Sequence, residues 1–98
     1  MTRITTAQAN SVYQQVADAA GMELDKLLSE SKQPSVCRIR YIVMRALRDA
    51  GASLTNIGRL MLLDHSTVLS GLSRYEQLRD DDADYAALAD HVLARCRA

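Results

Sequence analysis

Two helix starts stand eleven residues apart in the middle of this 98-residue chain, at Ser53 and Asp64. Both residue types are favoured N-caps, because a short side-chain oxygen can accept from the unsatisfied N–H groups of a helix's first turn. The segment between them, Leu54-Thr55-Asn56-Ile57-Gly58-Arg59-Leu60-Met61-Leu62-Leu63, has room for a two-turn helix and a tight turn. Ile57, Leu60 and Met61 form the helix's expected buried side. The helix that follows Asp64 carries small polar residues, Ser66 and Thr67, in its first turn. A helix-turn-helix needs this arrangement, since its second helix presents N-terminal residues to base edges and bulk there would hold the backbone away. Gly58 is expected to let the two helices cross closely.

The remaining sequence reads as helix throughout. Thr5-Thr6-Ala7-Gln8 is a capping-box pattern opening a helix with Ala9, Val12, Tyr13, Val16 and Ala20 on one face, and Gly21 is placed to end it. A short helix over about 23–29 puts Leu24, Leu27 and Leu28 together. After the polar loop Ser29-Glu30-Ser31-Lys32-Gln33-Pro34, Ser35 is expected to cap a helix over 35–50. Val36, Ile39, Val43, Ala46, Leu47 and Ala50 should face inward there, with Gly51 as its stop. The helix after Asp64 has the stripe Val68, Leu69, Leu72, Tyr75 and Leu78. A last helix is expected to start in Asp80-Asp81-Asp82 and end near Arg95-Cys96-Arg97, acid first and base last, as the helix dipole favours. The same aspartates are alternatively an acidic surface for a protein partner. The expected fold is all-α, a compact bundle of about six helices in one domain spanning 1–98.

The formal net charge is zero, but its distribution is uneven. Residues 1–31 hold two cations against four acids; residues 32–79 hold Lys32 and seven arginines against three acids; residues 80–98 hold two arginines against five aspartates. The middle of the chain is therefore basic at +5, compatible with a polyanion face. No apolar run approaches the ~18 residues of a membrane span. Met1 to Thr6 lacks the apolar stretch of a secretory signal. Two cysteines, Cys37 and Cys96, without a paired motif fit reduced thiols in the cytoplasm.

The string Asp64-His65-Ser66-Thr67-Val68 resembles the Asp-His-Thr-Thr-Val signature in the C-terminal, DNA-box-binding domain of the bacterial replication initiator DnaA. Ser53-Leu54-x-x-Ile57-Gly58 matches that family's Ser-Leu-x-x-Ile-Gly. Leu27-Leu28-Ser29, Ser35-Val36-Cys37-Arg38-Ile39-Arg40 and Tyr75-Glu76-Gln77-Leu78-Arg79 resemble its other segments at the same spacing. The resemblance runs over about residues 10–97. It implies that Asp64, His65, Ser66 and Thr67 read the major groove. It also implies that Lys32 enters the adjacent minor groove, that Arg40 and Arg48 contact phosphates, and that Arg38 adds to the same surface. Three departures leave the fold and DNA-binding class intact and imply a different or looser target site. The loop at 30–34 is not arginine-rich, the turn Leu62-Leu63 is one residue shorter and lacks the family's Gly-Gly-Arg, and Thr55 replaces a proline.

Other chemistries fit poorly. Asp64, His65 and Ser66 spell a hydrolase triad, but neighbours on a helix point roughly 100° apart and cannot hydrogen-bond in series. His91 and Cys96 are five apart, so they do not stack as metal ligands, and no Cys-x-x-Cys occurs. No phosphate-binding loop is present, and the length cannot hold an ATPase module. The expectation is a stand-alone, nucleoid-associated, non-enzymatic protein that binds double-stranded DNA without nucleotide, metal or other cofactor and without membrane. Its further partner would be the replication initiator or another replication protein, with replication or transcription control as its setting. The rival reading, supported by the zero net charge and the acidic last helix, is a protein-interaction module that kept the fold and lost DNA binding.

Overall fold

The computed structural model describes residues 3–97 and contains six helices among them: α1 (Thr6–Ala20), α2 (Leu24–Leu28), α3 (Pro34–Asp49), α4 (Leu54–Met61), α5 (His65–Asp81) and α6 (Ala83–Arg97). α1 starts on the expected capping box: Gln8 N–H donates to Thr5 Oγ1 at 3.2 Å, and Thr5 N–H donates to Gln8 Oε1 at 2.8 Å. It stops at Gly21, whose φ of 68° lets Met22 N–H turn back onto the Ala17 carbonyl at 2.9 Å.

α3 begins one residue before the expected Ser35 cap. Pro34 opens it, its ring pre-setting φ and its missing N–H costing nothing in a first turn. Gln33 occupies the cap position without a side-chain bond. Ala50, expected inside, is exposed at the other end of the helix.

The aspartate run divides between two helices. Asp80 and Asp81 finish α5, and Asp82 caps α6 by accepting from Asp84 N–H at 3.0 Å and Tyr85 N–H at 3.1 Å. Only Asp82 and Asp84 therefore sit where a helix dipole welcomes acid; Asp80 and Asp81 stand at the wrong end of theirs.

One cluster of buried apolar side chains draws on all six helices, with Val16, Ile42, Val43, Leu47, Ile57, Val68 and Val92 sealed from solvent. α1 packs chiefly against α6 and α3, and α5 against α3 and α4. Tyr13 and Tyr75 are buried, as their place on the apolar stripes predicts, and Tyr85 of α6 is buried with them. Tyr85 donates its hydroxyl to the Arg38 carbonyl at 2.8 Å, tying α6 to α3, and burial pushes its phenol pKa up. Leu69 departs from the expected stripe. It is 53% exposed because Gly71 and Val68, not Leu69, take the inward positions on the first half of α5.

Candidate nucleic-acid interface

α4 and α5 form the helix-turn-helix, and the turn between them is built around Gly58. Ser53 Oγ accepts from Asn56 N–H at 3.1 Å and starts α4. At the other end, Leu62 takes the left-handed conformation (φ 58°), and Leu63 N–H donates to the Gly58 carbonyl at 2.7 Å. The chain then folds over Gly58 so tightly that a Cβ there would stand 2.5 Å from the Leu63 carbonyl oxygen. Gly58 thus accommodates the turn itself; the expected close crossing of the two helices is in fact a close approach of the turn's backbone.

α5 begins immediately after. Asp64 holds the cap position with an extended backbone, yet its carboxylate makes no capping bond, so the first-turn N–H groups have no side-chain acceptor. Asp64, His65, Ser66 and Thr67 are all exposed, while the fully buried Val68 anchors the turn of helix that carries them. Leu69 continues the outward face one turn after His65. Exposed hydrogen-bonding groups on a rigidly seated helix start, with an open first turn, suit both base edges and phosphate oxygens.

The other expected site residues sort into three kinds. Lys32 is exposed on the loop between α2 and α3. That loop is shaped by serine side chains, with Ser31 N–H donating to Ser29 Oγ at 3.2 Å and Gln33 N–H to Ser31 Oγ at 3.3 Å. It is held to α3 by Arg40, whose guanidinium donates to the carbonyls of Leu27, Ser29 and Ser31. Arg40, expected at a phosphate, thus spends three N–H groups positioning the loop that presents Lys32. Arg48 similarly donates one N–H to the Ala52 carbonyl at 2.8 Å, closing the turn into α4. Arg38 lies 3.9 Å from Asp82, at the far end of α5. α5 runs seventeen residues from His65 to that end, about 25 Å of rise, so Arg38 stands apart from the recognition-helix start.

Two features were not anticipated from sequence. Asn56 is buried and pairs with the backbone of the N-terminal segment in both directions: Ile4 N–H donates to its Oδ1 at 2.9 Å, and its Nδ2 donates to the Ile4 carbonyl at 3.2 Å. Arg59, on the exposed side of α4, lines a cleft with Thr55, Leu62, Asp64, His65 and Thr67. An Asn at the third position of a helix gives no sequence signal of a partner fifty-two residues away, and Arg59 reads simply as a cation in a last helical turn.

No helix among the described residues is long and apolar enough to cross a membrane, and no cluster of His, Cys, Asp and Glu there is arranged to hold a metal. Compared with known proteins, residues 9–74 match the model of the family described as the bacterial dnaA protein helix-turn-helix. That span runs from the first turn of α1 through the middle of α5 and includes the whole α4–turn–α5 unit. Among curated proteins there is no match.

Proposed function

The chain belongs to the bacterial DnaA helix-turn-helix family, and from that premise we propose that it docks on double-stranded DNA with the start of α5 in the major groove. The observation that carries this reading is the exposed Asp64-His65-Ser66-Thr67 tip seated on buried Val68 and fixed by the closed turn over Gly58. His65, Ser66 and Thr67 supply the base contacts in this reading. Lys32 approaches the adjacent minor groove on the loop that Arg40 clamps, and Arg40 and Arg48 reach phosphates with their remaining N–H groups. Arg38, paired with Asp82, adds at most long-range attraction. The role is non-catalytic, a protein acting in replication initiation, in its regulation, or in transcription control.

The site read should be looser than the family's, or different from it. Ser66 lacks the methyl with which a threonine packs on a thymine methyl. Lys32 is a strongly hydrated point charge where a forked guanidinium suits a narrow groove better. Selection from a randomised duplex pool tests this directly. An enriched site distinct from the standard DnaA box is expected, and Thr67→Ala should cost about 1–3 kcal/mol on it and little on random DNA. Recovery of the standard box at full specificity would contradict the altered readout.

A further inference from the structure

The cations of the basic middle segment are mostly committed within the fold. Arg38 pairs with Asp82, Arg45 with Asp49 and Glu76, and Arg79 with Asp90. Arg40 and Arg48 donate to backbone carbonyls, and Arg74 to Gln77. Of the eight cations between residues 32 and 79, only Lys32 and Arg59 have no hydrogen bond or ion pair among the described residues. A charge left without an internal partner at a surface is available to an external anion.

Arg59 is not isolated. The Ile4–Asn56 pairing holds the N-terminal segment against α4, and Arg3, also exposed, lines a cleft that Arg59, Thr6 and Leu62 share. That cleft adjoins the one in which Arg59 meets Asp64 and Thr67. Its position in the last turn of α4 would by itself be explained by the helix dipole. The dipole does not explain why a buried amide, made fully bonded by a distant segment, brings a second arginine to the same place. Asp64, the acid lining the adjoining cleft, forms no ion pair with Arg59.

We propose that Arg3 and Arg59 form a phosphate-binding site on the α4 side of the helix-turn-helix, holding the DNA strand that flanks the groove entered by α5. The inference rests on the DNA-binding reading above. It follows from the docking of this motif class, in which the first helix crosses the sugar–phosphate backbone beside the groove. The turn Leu62-Leu63 carries no charge, and the two arginines supply it from the neighbouring helix and the clasped N-terminal segment.

The test is a fluorescence-anisotropy titration of a mixed-sequence 20-base-pair duplex with the full chain, from about 50 to 200 mM salt. Variants are Arg59→Ala, Arg3→Ala, the double variant, Arg59→Lys, and Arg95→Ala as a distant control on α6. Each phosphate contact contributes about 0.9 to the slope of log K against log salt. Arg59→Ala and Arg3→Ala should each lower the slope by about 0.9, the double variant by about twice that, and Arg59→Lys should retain it. Arg95→Ala should leave it unchanged. Wild-type slope in the two alanine variants, or an equal drop in Arg95→Ala, would overturn the site while leaving DNA binding intact. Absence of any salt-dependent binding by the wild-type chain would overturn the DNA-binding reading and this site together.

Discussion

Gly58 and Gly71 each leave no room for a methyl group, but against different obstacles. At Gly58 the obstacle is the Leu63 backbone carbonyl, at 2.5 Å from an added Cβ; at Gly71 it is the Met44 thioether, with Sδ at 2.4 Å and Cε at 3.0 Å. A carbonyl in a closed turn moves only if the turn moves, whereas a thioether swings at small cost. Gly58→Ala should therefore destabilise the protein by about 2–3 kcal/mol and weaken DNA binding beyond that. Gly71→Ala should stay within about 1 kcal/mol of wild type, because helix propensity offsets the repacking. Urea unfolding of both variants decides it, and equal losses would show that the turn is softer than described. The sequence marked Gly58 as special through its place between two caps, but not its contact, since close crossing of helices and close folding of a turn leave the same trace. Asn56 was illegible for a different reason. Its partners are backbone atoms of residue 4, and backbone partners carry no residue identity to read.

At the scale of the element, the two cap positions that define the motif do different work. Ser53 bonds to the first turn of α4 through its hydroxyl, while Asp64 sits at the head of α5 with no capping bond. Ser53→Ala should cost about 1 kcal/mol of stability. Asp64→Ala should cost no more than the ~0.3–1 kcal/mol of a charge at a helix N-terminus, and its main effect should fall on sequence preference. Thermal melts paired with binding to a selected and a random duplex separate the two; a stability loss at Asp64 as large as at Ser53 would mean it caps after all. The six helices were legible because cap residues and 3.6-residue stripes are local signals. Their exact ends were less so. Pro34 and Ser35 are both good starters, and the aspartate run offers three candidate caps where Asp82 alone bonds. Leu69 shows the limit of periodicity: it lies at the edge of a stripe, and the presence of α3 and α4 on one side only decides which edge is covered.

Across the whole molecule, the zero net charge conceals a division of labour. Asp82, between α5 and α6, pairs with Arg38, and Asp90 of α6 pairs with Arg79 of α5. Arg40 and Arg48 shape the loops on either side of α3. Among the described residues, only Lys32 and Arg59 of the basic middle segment have no internal partner, so the segment's charge of +5 overstates its capacity for phosphate. Residue counts along a chain cannot separate a structural arginine from a free one; that distinction needs the carbonyls and carboxylates that only the fold assembles. The central claim is that DNA meets the face carrying the start of α5, and it is tested most directly by mapping amide chemical shifts of the full chain as a mixed-sequence duplex is added at low salt. The account predicts the largest shifts at His65, Ser66 and Thr67, with companions at Lys32 and Arg59 and little change along Asp84–Arg95 of α6. No perturbation, or perturbation centred on α6 with the α5 start unmoved, would contradict it.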